Sequence, residues 1–141
     1  MKALILGVCM AMVGFGAMAN DGSKPVVKEI GRFATTMSDQ PIVLPTGSVE
    51  VAASLYTIPP GLELPVHRHK YPRYGYVLAG ELTVTNEVTN KSKTFRKGEF
   101  VTEAVQQWHK GKSSGETTLE LLVIDQAPAG TNNTELRSTD H

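Results

Sequence analysis

Three histidines carry the chemistry that this sequence can do. His67 and His69 are separated by one residue, so on an extended strand both imidazoles point to the same face, close enough to chelate one ion. His109 lies 40 residues beyond His69 and reaches that face only if a sheet folds back on itself. The fourth, His141, ends a polar stretch and is set aside. Imidazole nitrogen suits Zn, Cu, Ni and Fe(II) alike, so the trio is a candidate metal site. Taken alone, the His67/His69 pair reads more simply as two solvated loop residues beside Lys70. No Ser-His-Asp arrangement, phosphate loop or paired-carboxylate motif offers competing chemistry.

The chain that must position these side chains has 141 residues, 40% apolar and 6% aromatic, with 14 Lys+Arg against 14 Asp+Glu and one cysteine. That length holds one domain with a real core. The balanced charge excludes a protein that holds nucleic acid or anionic membrane by bulk electrostatics, which needs a basic surplus. At the amino terminus Lys2 precedes an apolar run, residues 3–18, and Ala17-Met18-Ala19 has the small-x-small form of a cleavage site. The expectation is a signal peptide over residues 1–19, cleaved after Ala19, and a periplasmic or secreted protein. The run is shorter than the roughly 20 residues of a spanning helix, so no membrane contact is expected after cleavage. Cys9 leaves with this segment, and a mature chain of 122 residues without thiols excludes disulfides, thiolate ligands and a cysteine nucleophile.

Residues 20–40 read as a flexible lead-in, residues 41–127 as the domain and residues 128–141 as a polar tail. Ile42-Val43-Leu44 is a short apolar run between Pro41 and Pro45. Residues 49–58 alternate as a half-buried strand does, until Pro59-Pro60-Gly61 ends them. Residues 74–78 and 81–86 flank Ala79-Gly80, which reads as a tight reversal between strands, and residues 90–93 as a hairpin loop. Residues 94–96 and 100–103 are split by Lys97-Gly98-Glu99. Residues 117–125 (TTLELLVID) form the longest β-type run and a central strand. No segment keeps a helical period, so short strands punctuated by Gly and Pro predict an all-β sandwich or barrel.

Gly61-x5-His67-x-His69 with Gly80 eleven positions later, followed by Gly98-x10-His109, resembles the two sequence motifs of the cupin superfamily. Those motifs run Gly-x5-His-x-His-x3-4-Glu-x6-Gly and Gly-x5-Pro-x-Gly-x2-His-x3-Asn. The resemblance spans residues 49–125 and includes the hairpin-like stretch 76–82 between the motifs. It implies a small antiparallel jelly-roll β-barrel with His67, His69 and His109 inside its mouth as metal ligands. The implied cofactor is a divalent transition metal: Fe, Zn, Mn, Ni or Cu.

The departures from the motifs matter as much. Arg73 stands where the family glutamate is expected, and the longer spacing gives Tyr74. Ala104, Gln106 and Ser113 replace the proline, glycine and asparagine of the second motif. Without the glutamate, three neutral imidazoles would face a dication, and a guanidinium about 6 Å away at an effective dielectric near 20 would be repelled by roughly 5 kcal/mol. Two compensations stand open. Glu103, six residues before His109, could pair with Arg73 or serve as a fourth ligand; alternatively Arg73 clamps a carboxylate of the bound small molecule. Arg73, Tyr74 and Glu103 are the candidate catalytic residues. Tyr71, Tyr76 and Trp108 read as packing, and Asn132-Asn133-Thr134 as a glycosylation pattern of no weight here. Three functions are compatible: an exported metal-dependent oxygenase acting on a small anionic or oxygenated ligand, a binding module of the cell envelope, or a jelly roll that has lost its metal. A homodimer is expected, because an open jelly roll exposes strand edges that pairing covers.

Overall fold

The computed structural model describes residue 22 and residues 24–138; the expected signal peptide, Cys9 and His141 lie outside them. Among the described residues there are nine strands and no helix. In chain order they are β1 (Val49–Ile58), β2 (His67–His69), β3 (Arg73–Ala79), β4 (Glu81–Asn86), β5 (Lys91–Arg96), β6 (Phe100–Thr102), β7 (His109–Ser113), β8 (Leu119–Pro128) and β9 (Thr134–Leu136). They form two antiparallel sheets, β1-β8-β3-β6 and β5-β4-β7-β2-β9. This is the jelly roll that the cupin resemblance implies, built as two facing sheets rather than a closed barrel. None of the described helices, there being none, could cross a membrane.

Strand alternation explains the core. Val77 of β3, Leu82 and Val84 of β4, Phe95 of β5, Val101 of β6 and Leu119, Leu121 and Val123 of β8 all turn inward and pack with Ile58. As expected, β8 is central, paired with β1 over ten positions and with β3 on its other side. At Gly80 the structure departs from the expected reversal. β3 and β4 lie in different sheets, so the turn carries the chain from one sheet to the other instead of closing a hairpin. Gly80 has φ 75°, and a Cβ there would stand 2.7 Å from Thr118 O and 2.8 Å from Leu119 Cα, so only glycine fits this crossing. The β4–β5 connection is a true hairpin, with Asn86 Oδ1 accepting from the N–H groups of Val88 and Thr89.

One apolar run forms no strand, and two segments read as irregular take defined places. Residues 42–44 form no strand, and Val43 and Leu44 are exposed, since the flanking prolines supply no ladder donors. The second half of the lead-in docks beside β6: Met37 N–H donates to Thr102 O, and the Gln40 side chain makes two hydrogen bonds to the backbone of Val105. After Pro128, Thr134–Leu136 pairs with β2 in the register His67↔Leu136, Arg68↔Glu135 and His69↔Thr134. The expected tail thus supplies an edge strand to the sheet that carries the histidines. Its three residues are too few to show a period in the sequence.

Candidate metal centre

β2 and β7 lie side by side, with His67 directly opposite His109. The one-residue spacing on β2 turns His67 and His69 inward together, and all three imidazoles are buried. Their ring centroids form a nearly regular triangle, 4.6 to 4.9 Å on a side, with planes inclined by 59 to 61°. Glu103, just past β6, closes the cluster. Its Oε2 stands 2.9 Å from His69 Nε2 and 3.1 Å from His109 Nε2. One ligand atom from each of His67, His69, Glu103 and His109 lies within 4.8 Å of the others.

The hydrogen bonds on the far side of each ring decide what these atoms can hold. His67 Nδ1–H donates to Pro65 O at 2.7 Å, His109 Nδ1–H to Gln107 O at 2.8 Å, and His69 Nδ1–H to Asn133 O at 3.1 Å. A carbonyl can only accept, so each Nδ1 carries a hydrogen and each Nε2 faces the centre. An ionised carboxylate also only accepts. Nitrogen and oxygen atoms converging in this way require positive charge among them, either as further protons or as a metal ion. Ligand atoms about 2.1 Å from a tetrahedral ion stand about 3.4 Å apart, a spacing that the observed contacts bracket. The buried donor set of three imidazoles and one carboxylate is therefore able to bind a metal ion. Burial is the main reason His67 is pushed down to about 4, which leaves it neutral at physiological pH. Burial alone would raise the Glu103 carboxyl, but its contacts with His109 and His69 outweigh that and hold it well below the ordinary carboxylate range.

A carboxylate absent from the first motif is thus present at the cluster from just past β6. Arg73, at the vacated position, does not pair with Glu103 and is not free to clamp a ligand carboxylate. It forms a bidentate pair with Asp125, Nε to Oδ1 at 2.8 Å and Nη2 to Oδ2 at 2.7 Å, and Nη2 also donates to Thr134 Oγ1 at 2.9 Å. Desolvation disfavours the buried guanidinium, yet Asp125 and Glu103 outweigh it and keep Arg73 charged. Tyr74 is not at the site. It alternates with Arg73 to the outer face of β3, stacks on Phe100 at 5.9 Å and donates its hydroxyl to Gln126 Oε1 at 3.3 Å. Trp108 packs against the guanidinium groups of Arg68 and Arg137, 4.5 and 5.1 Å from its ring centre. Asp125, Asn133 and Thr134 belong to the site's surroundings and were not legible beforehand, because each acts through partners 50 or more residues away in sequence or through the unforeseen β9.

A cavity of about 160 Å³ opens onto the cluster. His67, His109, Glu103 and Arg73 form its polar end, while Leu64, Leu82, Val84, Leu121 and Val123 supply much of its apolar wall. Gln106, at the glycine position of the second motif, takes φ 58° and donates its N–H to His69 O at 2.7 Å. The loop makes a left-handed turn at a residue other than glycine.

A two-sheet jelly roll with three imidazoles and a carboxylate converging in its interior defines a small β-protein able to bind a metal ion. The family profile "Cupin domain" matches residues 54–125, and the chain belongs to the cupin superfamily. Among solved structures it is similar to the polyketide cyclase RemF from Streptomyces resistomycificus, at 18% identity and a TM-score of 0.53 over 71% of this chain and 72% of that one. It is also similar to the DMSP lyase DddQ from Ruegeria pomeroyi, at 23% identity and 0.53 over 61% of this chain. A third is an oxalate decarboxylase from Lactobacillus farciminis, at 19% and 0.53 over 61% of this chain. The chain spans 42% of the lyase and 26% of the decarboxylase, and at these identities the likeness shows the fold alone. A sequence search of curated proteins finds no match.

Proposed function

We propose that this chain is an exported cupin that holds a divalent transition-metal ion through His67, His69, His109 and Glu103 and acts as a metal-dependent oxygenase on a small oxygenated molecule seated in the apolar cavity. The observation that carries this reading is the convergence of four ligand atoms within 4.8 Å, with each imidazole turned inward by a carbonyl behind it. When bound, such an ion supplies Lewis acidity and, if it is iron, electron transfer to dioxygen. The chain's own contributions are placement and exclusion. The Leu64, Leu82, Val84, Leu121 and Val123 side chains keep water from the ligand's body. Arg73, neutralised by Asp125, shapes the polar end without claiming a carboxylate for itself.

Elemental analysis of protein purified without chelator, beside a His67→Ala/His109→Ala variant, tests the metal; equal content in both overturns the reading. Oxygen uptake with Fe(II) across a panel of carboxylates and diketones tests the reaction, and a flat trace replaces the oxygenase by the binding module. Export is supported by Lys2, the apolar run and Ala17-Met18-Ala19, and amino-terminal sequencing of the periplasmic fraction should begin at Asn20. We read the chain as a homodimer because β1 is an edge strand with Val51 and Leu55 exposed by 63% and 71%, and light scattering should give twice the mature mass.

A further inference from the structure

Two of the three imidazoles are oriented locally and one is not. The carbonyls behind His67 and His109 belong to Pro65 and Gln107, each two residues earlier on the same segment. The carbonyl behind His69 belongs to Asn133, 64 residues away. Any folding of β2 and β7 therefore brings its own support to two ligands, whereas the third depends on where residues 128–136 come to rest. His69 is also the most deeply enclosed of the three, with no exposed surface.

Asn133 is held with every polar atom of its side chain in use. Its Oδ1 accepts from Tyr71 N–H at 2.8 Å, and its Nδ2 donates to Tyr71 O at 3.1 Å and to Asp125 Oδ1 at 2.7 Å. Asp125 is in turn the partner of Arg73, which also donates to Thr134. An asparagine only 5% exposed in a loop that is otherwise exposed has no solvent to satisfy it, so these bonds fix its backbone in one place. From the neighbouring position, Thr134 pairs with His69 in the β2–β9 ladder.

We infer that Asn133 is a positioning residue for the metal centre. Its side chain, clamped between the Tyr71 backbone and Asp125, sets the carbonyl that fixes the tautomer and ring orientation of His69. The inference deepens the metal-binding reading and rests on it. Partners that orient a metal-ligating histidine are typically worth 10- to 100-fold in affinity, so Asn133→Ala should weaken binding by about that factor while His67 and His109 keep their local supports.

The test uses the full chain. In the metal-free protein, nitrogen-15 NMR of the histidine side chains should show a protected hydrogen on His69 Nδ1, bonded to Asn133 O whatever Nε2 carries, and loss or broadening of that signal for His69 alone in Asn133→Ala. Competition titration with Zn(II) should show the affinity loss of about 10- to 100-fold, and Co(II) substitution a changed absorption spectrum. Asn133→Ser keeps a hydroxyl for Tyr71, should fall between the two, and stands in if the alanine variant does not fold. Leu119→Ala, buried away from the cavity, serves as the control for lost stability: it should lower Tm and leave the His69 Nδ1 signal, affinity and spectrum unchanged. An unaltered His69 Nδ1 signal together with wild-type Zn(II) affinity in both Asn133 variants overturns the inference. Wild-type protein that binds Zn(II) no better than His67→Ala/His109→Ala overturns the metal reading instead, and the Nδ1 signal still decides the role of Asn133.

Discussion

Replacing Glu103 by glutamine removes one negative charge from the centre while keeping the side chain's shape and one carbonyl oxygen. With the four ligand atoms within 4.8 Å of one another, an ion among them lies no farther than about 4 Å from the carboxylate, where two unit charges at an effective dielectric near 20 interact by about 4 kcal/mol. For a dication the gross loss is about 8 kcal/mol. Against that, the wild type bears the cost of burying an anion, several kcal/mol per ion, and the glutamine oxygen still offers a dipole. A net loss of about 3 to 4 kcal/mol follows, or two to three powers of ten in Kd. The assay is competition against a chromogenic chelator with Zn(II) and Co(II), with thermal melting of the metal-free forms alongside. Metal-free Glu103→Gln should melt below wild type, since the contacts with His109 and His69 that outweigh burial of the carboxylate are weakened, so the Kd values are compared at a temperature where both metal-free forms are folded. A Kd within threefold of wild type would refute the assignment of Glu103 as the fourth ligand and leave the three imidazoles as the site.

Asp125→Asn removes one partner of the buried Arg73 pair and should cost about 3 kcal/mol at neutral pH. Burial raises the Asp125 carboxyl, but Arg73 and Asn133 outweigh it and lower it below the ordinary value, so its stabilisation is full above about pH 4 and is lost as the pH falls through the depressed native value. Urea titrations should therefore show the gap between wild type and variant closing in acid; a gap constant down to pH 2 would remove the charge from the explanation. Gln106→Gly relieves a left-handed residue at φ 58° worth about 1 to 2 kcal/mol, offset by about 0.5 to 1 kcal/mol of glycine chain entropy. A rise in Tm of a few degrees is expected, and a fall would show that the Gln106 side chain itself holds the loop.

Much of the frame was legible because its signals are local. The β-type run 49–58 and the Pro59-Pro60-Gly61 stop set the bounds of β1, although its expected half-buried face is exposed at all but Tyr56 and Ile58, and TTLELLVID gave the central strand. The one-residue spacing put His67 and His69 on one face, the cupin resemblance added His109, and the structure brings the three together. What escaped the sequence depends on pairing across distance. Gly80 announces a turn, but nothing beside it says that β3 and β4 enter different sheets. Thr134–Leu136 becomes a strand only because β2 offers an edge. Asp125 sits at the end of an apolar run whose facing side chain, Arg73, is 52 residues earlier, and the Asn133 side chain is used wholly in contacts made after folding.

The same distance explains how the chain tolerates an arginine where the motif expects a carboxylate. An unpaired guanidinium at position 73 would oppose a dication by roughly 5 kcal/mol, more than a three-imidazole site could comfortably offset. Asp125 cancels that charge from β8, and Glu103 supplies the missing carboxylate from the end of β6. Each replacement comes from the sheet opposite β2 and β7, so the centre is assembled across the two sheets and not along one motif. With Arg73 and Asp125 neutralising each other, a dication held beside Glu103 would leave one net positive charge at the polar end of an apolar cavity. On the metal reading proposed above, that balance would favour a ligand with a single anionic or strongly polarised oxygen and an apolar body. A dicarboxylate would leave one carboxylate among Leu64, Leu82 and Val84 with no partner to offset its desolvation.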